Sequence, residues 1–186
     1  TQNYRESAPL WRDLHTYAKK NGEPMQIASM GFNLGQALYR THKKEEAIRL
    51  LDDALRLARA RWDEGEDVAE LPDWLSFRAQ IEVDERRPGQ AEGIYLEAIE
   101  VEKHLSGPDS AATARRYGTL GSLVGRMGRL DEGMGYLDGA ASLLRTELGA
   151  AHPWTRTATE AALELLAEKI DRTAASDRGT AGALAQ

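Results

Sequence analysis

Residues 120–140 read LGSLVGRMGRLDEGMGYLDGA, and the same order of small and large side chains occurs twice earlier, in LGQALYRTHKKEEAIRLLDDA at 34–54 and RAQIEVDERRPGQAEGIYLEA at 78–98. Gly35, Ala47, Leu51 and Ala54 match Ala79, Ala91, Tyr95 and Ala98 at a constant offset of 44. That second set matches Gly121, Gly133, Leu137 and Ala140 at a constant offset of 42. Each set has a small residue, a second small residue twelve positions on, then a large apolar residue and a third small one. Two antiparallel helices approach closely only where one lacks a bulky side chain, so small residues in this order mark helix crossing points. The repeat therefore predicts helix hairpins stacked side by side.

Helical periodicity extends over nearly the whole chain, without the alternation of a strand. Ala47, Ile48, Leu51, Ala54, Leu55 and Ala58 share one face, as do Ile94, Tyr95, Ala98, Ile99 and Val101 in a later segment. Pro24, Pro72, Pro88, Pro108 and Pro153 are each expected to open a helix, and none is expected inside one. The reading gives helices over 8–20, 25–41, 44–61, 73–86, 89–105, 109–127, 131–148 and 154–171. In domain terms, 1–24 holds an N-terminal helix ending a truncated preceding repeat, with Leu10, Trp11, Leu14 and Tyr17 on its apolar side. An array follows over 25–171, with repeats at 25–64, 72–106 and 108–149 and a capping helix at 153–171. Residues 172–186, RTAASDRGTAGALAQ, are small and polar and read as a flexible tail. The start at Thr1 rather than Met is what a fragment of a longer solenoid would show.

The small, small, large, small pattern resembles the tetratricopeptide repeat (TPR), and the 42-residue period is similar to its longer-helix variant in kinesin light chains and many bacterial regulatory proteins. LGAAHPWT at 148–155 resembles that variant's junction of Gly, then His-Pro, then Thr; SGPDSAAT at 106–113 is a degenerate copy. The resemblance covers about 25–171. It implies an all-α fold, an α-solenoid of antiparallel helix hairpins wound as a right-handed superhelix. The second repeat departs from the pattern. Glu82 stands where Leu38 and Val124 are apolar, Arg78 stands where Leu34 and Leu120 sit, and the first junction, WDEGEDVAELPDW, is longer.

Composition removes several classes of function. The 186 residues include no cysteine, which excludes disulfides, thiolate catalysis and cysteine zinc sites. Residues 61–110 carry five basic and fourteen acidic side chains, a balance that repels a phosphate backbone and disfavours nucleic acid as a partner. The chain lacks a long apolar run and a signal-peptide pattern, so no membrane association is expected and a cytoplasmic setting is. His15, His42, His104 and His152 form no zinc-type pair, and His152 reads as a helix-start residue in its junction. There is no nucleophile elbow, HExxH, kinase or dinucleotide fingerprint, so no catalytic residue, metal site or cofactor is predicted. Seven glycines between 118 and 139 crowd the third repeat. Two fill small-residue slots; the others are expected to soften the hairpin or permit close packing.

In a TPR array, the resemblance implies, the first helices of successive hairpins line a concave groove that receives an extended peptide or a partner helix. The residues placed there are Phe32, Asn33, Gln36, Tyr39 and Arg40, then Asp73, Ser76, Phe77, Gln80 and Asp84. Arg115, Thr119, Ser122 and Arg126 follow, and then Thr157, Glu160 and Glu164. Gln36 and Gln80 can bond a peptide main chain through donor and acceptor, and Arg40, Arg115 and Arg126 offer forked donors to carboxylates. The predicted function is a non-enzymatic protein-interaction scaffold that binds a protein or peptide partner, as part of a larger bacterial regulatory or sensor protein. The alternative is a homo-oligomerisation module using the solenoid ends and Trp11, Trp62, Trp74 or Trp154. A small-ligand receptor or enzyme ranks third. The family's carboxylate clamp does not transfer, because Phe32 and Gln36 stand where it needs Lys and Asn.

Overall fold

The computed structural model describes the backbone of residues 2–184 and the side-chain surroundings of 3–175. Among the described residues the elements are all α-helices: α1 Gln2–Asn21, α2 Pro24–Arg40, α3 Lys44–Asp63, α4 Leu71–Asp84, α5 Pro88–Ser106, α6 Ala111–Arg126, α7 Leu130–Leu148 and α8 Pro153–Leu184. The chain divides into two units, Thr1–Arg78 and Ala79–Gln186, with the division inside α4.

In the first unit α2 packs on α3 through Leu34, Leu38 and Ala47, with Trp11 of α1 against the same cluster. The close approach occurs at Gly35, where a methyl group would lie 2.8 Å from Cγ of Leu51 and 3.2 Å from the carbonyl oxygen of Ala47. The packed side of α1 is Trp11, His15 and Ala18, while Leu10, Leu14 and Tyr17 are exposed, which corrects the expected apolar side. The small side chain of Ala18, and Gly31 opposite His15, let this stripe approach α2. Pro9 lies inside α1, against the expectation that no helix interior holds a proline. It is exposed, so the carbonyl it cannot pair with is open to water.

Among its described residues, the second unit holds the following clusters. Ala79, Ala91, Tyr95, Ile99, Leu120, Leu123 and Val124 join α4, α5 and α6. Ala114, Ala140, Leu144 and Ala158 join α6, α7 and α8, and Leu130, Leu137, Ala162 and Leu165 join α7 to α8. Between α5 and α6, Arg116 Nε donates to Glu102 Oε2 at 2.6 Å with both side chains buried, and the Ser106 hydroxyl donates to the other carboxylate oxygen at 2.6 Å. Helix α8 continues to Leu184 rather than ending near 171. No proline follows Pro153 to stop it, although every described side chain after Leu165 is exposed. Of the expected tail, residues 185–186 and the side chains of 176–184 lie outside the described residues.

The connections repeat as closely as the helices do. His42, Arg86 and Gly128 sit at the offsets 44 and 42, and all three are left-handed, with φ of 67°, 60° and 88°. Each is followed by a basic residue at the N-cap of the next helix: Lys43, Arg87 or Arg129. The longer junctions end α5 and α7 at Gly107 and Gly149, with φ of 93° and 88°. There the hydroxyls of Thr113 and Thr155 donate to the carbonyls of Gly107 and Gly149 at 2.8 and 2.9 Å. Pro108 lies in this turn and not at a helix start, because Ser110 caps α6 by accepting from the Thr113 N–H. His152 takes the equivalent place before α8, its Nδ1 accepting from the Trp154 N–H at 3.2 Å. The departures of the second repeat are compensated by charge. Arg78 is paired with Asp52 at 2.8 Å, and buried Glu82 with Arg87.

Candidate functional site

Helix α6 forms the wall of a cavity of about 260 Å³ in the second unit. Four of the groove residues expected from sequence meet there: Gln80 from α4 and Arg115, Ser122 and Arg126 from α6. Thr119 and Thr157, also expected, line it as well. Leu123, Leu137 and Leu144 are buried and supply an apolar floor. The lining contains two arginines and no carboxylate, in a chain whose net charge is −6. The Asp84 carboxylate, bonded to the Gln80 amide, stands next to this lining.

Arg115, Gln80 and Ser122 are each positioned by a neighbour. The Arg115 guanidinium stands 5.2 Å from the ring centroid of Trp154, which α8 presents from the turn of its helix start. His152 meets the same indole edge-on at 5.2 Å. The Gln80 amide donates to Asp84 Oδ1 at 2.9 Å and accepts from the Tyr95 hydroxyl at 3.5 Å. An amide has two donors and two acceptor sites, so one of each stays available. Burial pushes the Tyr95 hydroxyl above its ordinary value near 10, with Arg126 pulling the other way. The Ser122 hydroxyl donates to the Gly118 carbonyl at 3.0 Å within its own helix and keeps acceptor capacity toward the cavity.

The expected groove residues of the first unit form a separate aromatic cluster. Phe32 is only 4% exposed, with its ring stacked on Trp74 at 4.7 Å. It is wall rather than exposed contact. Phe77 meets Phe32 and Tyr39 edge-on at 5.8 and 6.1 Å, and Arg40 lies 5.8 Å from the Phe77 centroid. Asn33 and Gln36 are half-buried on α2, between Phe32 and Arg40 in sequence. In this cluster the rings pack on one another.

Three solved structures are similar in fold. The crystal structure of BtubC (BKLC) from P. vanneervenii superposes with a TM-score of 0.72 at 20% identity, over 95% of this chain and 75% of that one. The nearly identical TPR-like repeats of a kinesin-light-chain-type protein from Podosopora anserina give 0.74 at 12% identity, over 95% of this chain and 84% of that one. A single-substitution variant of the latter gives 0.70 at 14% identity, over 95% and 91%. The fold is a TPR-like α-solenoid. No protein-family model and no curated protein matches the sequence.

These residues come from alternate helices of the TPR-like fold, Gln80 from α4, Arg115, Thr119, Ser122 and Arg126 from α6, and Thr157 from α8. Sequence reasoning missed Tyr95 and Trp154 as cavity residues. Tyr95 was visible as the large residue of the repeat, where Leu51 and Leu137 stand, and its hydroxyl was the signal that this slot reaches a polar surface. Trp154 follows the proline that opens α8 and is 43% exposed, a position that a junction motif does not single out. Among the described residues no helix is long and apolar enough to cross a membrane.

Proposed function

We propose that this TPR-like chain is a protein-interaction scaffold whose binding site is the arginine-lined cavity beside α6, and that it takes a peptide segment of a partner carrying at least one acidic group. The supporting observation is that Gln80, Arg115, Ser122 and Arg126, four of the groove residues that the TPR resemblance implies, line one cavity with an apolar floor and no carboxylate. Arginine offers paired donors to a carboxylate, the Gln80 amide can bond a main chain, and the leucine floor receives an apolar side chain. The role as a recruitment or sensor module of a larger bacterial regulator belongs to the same reading.

A peptide array probed with the intact chain and with an Arg115→Ala/Arg126→Ala variant tests it. Acid-bearing peptides should be retained by the parent and lost by the variant at unchanged helicity. Equal retention by both would move the site elsewhere. The apolar stripes of Leu10, Leu14 and Tyr17 on α1 and Leu163, Leu166 and Ile170 on α8 favour self-association as a second reading. Sedimentation at two protein concentrations separates the two, because only self-association makes the mass depend on concentration.

A further inference from the structure

Leu10, Leu14 and Tyr17 on α1 and Leu163, Leu166 and Ile170 on α8 are exposed, and Leu163 says what kind of helix can cover its stripe. Thr155 bonds Gly149 as Thr113 bonds Gly107, both pairs at an offset of 42. In that register Leu163 takes the place of Gly121. Gly121, like Gly35, lets the second helix of its hairpin approach so closely that a methyl group would have no room. A leucine there keeps a covering helix at the distance where side chains, not backbones, interlock. The stripe on α8 is thus shaped for a helix that offers large apolar residues in return, as α1 does.

Spacing and charge choose the pairing. Leu10, Leu14 and Tyr17 are four and three positions apart, and Leu163, Leu166 and Ile170 three and four. At about 1.5 Å per residue the stripes match level for level when one helix runs backwards, Leu10 meeting Ile170, Leu14 meeting Leu166 and Tyr17 meeting Leu163. Seen from each helix's C-terminus at 3.6 residues per turn, Glu6, Asp13 and Lys20 lie clockwise of the α1 stripe, and Lys169 and Thr173 clockwise of the α8 stripe. Glu160, Glu164 and Asp171 lie anticlockwise on α8. Antiparallel helices bring clockwise edge to clockwise edge. Asp13 of one copy then comes beside Lys169 of another, which its own chain bonds to Asp131, and the acidic edge of α8 faces no carboxylate of α1. A parallel pairing would set Glu6 and Asp13 against that acidic edge. A second α8 would set Glu164 against Asp171, and a second α1 would set Asp13 against its own counterpart. We infer that α1 of one copy of this chain lies antiparallel on α8 of another through these two stripes. This rests on self-association, the second reading above, and adds the two surfaces and their direction.

Sedimentation of the intact chain from about 5 to 500 µM, the range suited to a small contact, should show a mass that rises with concentration above the 20.5 kDa of one copy. Tyr17 and Leu163 are 67% and 59% exposed, so Tyr17→Glu and Leu163→Glu should leave the fold intact, which thermal melts check. Each variant alone should stay monomeric over that range. Their equimolar mixture should associate at least tenfold more tightly than either alone, because α8 of the first and α1 of the second are unaltered. The sequence has no cysteine, so introduced thiols report the direction. Oxidising a mixture of Glu6→Cys and Thr173→Cys chains should yield a mixed disulfide, and a mixture of Glu6→Cys and Thr159→Cys, the parallel control, should not. A mass independent of concentration in the intact chain would overturn self-association and this contact together. Association kept by either glutamate variant alone, or a mixture of the two that stays monomeric, would overturn the contact between α1 and α8 while self-association stands. An equal or greater disulfide yield from the control would overturn the antiparallel direction.

Discussion

Gly121 and Gly133 meet so closely that a methyl group on either would come within 2.8 Å of the other's carbonyl oxygen. The same approach is made 86 positions earlier in milder form, by Gly35 against Ala47 and Leu51. In the third repeat both partners are glycine, so α6 and α7 pack nearly backbone to backbone there. Gly125 takes part as well, its amide nitrogen 2.7 Å from where a methyl on Gly133 would lie. The glycines that looked like softening are thus partly the packing itself.

Two kinds of glycine should respond oppositely to alanine. Gly121→Ala or Gly133→Ala forces backbone apart and should destabilise by about 1 to 3 kcal/mol. Gly135 and Gly139 have nothing within 4 Å of an added methyl, so alanine at either should stabilise by up to about 1 kcal/mol through helix propensity. Urea denaturation of the four variants checks both signs.

The left-handed turn between paired helices gives a second prediction. Gly128 occupies it without steric cost, while Arg86 adopts the same conformation with a full side chain. Arg86→Gly should therefore stabilise by about 1 kcal/mol or somewhat less, since glycine also gains entropy in the unfolded chain. A thermal melt showing a lower midpoint for this variant would mean that the Arg86 side chain makes up more than its backbone costs.

How much of this was readable follows from what each residue reports. Small residues at crossing points have one physical cause, which is why Gly35, Ala79 and Gly121 disclosed the hairpins, whereas Arg115, Ser122 and Arg126 were placed on a common wall by the groove that the TPR resemblance implies. A left-handed turn has several acceptable occupants, so His42 and Arg86 did not announce it as Gly128 does. Exposure was read least well. Phe32 lies at a first-helix position that the groove rule exposes, yet Trp74 covers it. On α1, packing selected Trp11, His15 and Ala18 because the partner surface offered Gly31, a fact about α2 that no periodicity within α1 contains.

His15 makes α1 sensitive to acid. Burial and Lys19 hold its imidazole below the ordinary value near 6.5, with Asp53 pulling weakly upward. The unfolded chain therefore binds a proton more readily than the folded one. Stability is fully present above about pH 6.5 and is lost as pH falls toward the depressed folded value. Denaturation midpoints measured across pH 5 to 8 should fall on the acid side, and His15→Gln should flatten that part of the profile. A variant with an unaltered slope would assign the acid sensitivity to other groups.

The buried pair of Glu102 and Arg116 should show the asymmetry of charges withdrawn from water. Their side chains are 9% and 6% exposed, 2.6 Å apart, and Ser106 supplies a further donor to the carboxylate. Two charges so paired gain little over a well-packed apolar pair, because the attraction is offset by the loss of hydration. Removing one partner is different, since it takes this bond from a charge that stays buried. Glu102→Ala or Arg116→Ala should thus cost about 3 to 5 kcal/mol, whereas replacing both by Met should cost far less than the sum of the two. A double-mutant cycle by urea denaturation measures this. Additive single losses would mean that each side chain is held by other neighbours, and that the pair does not join α5 to α6 as a unit.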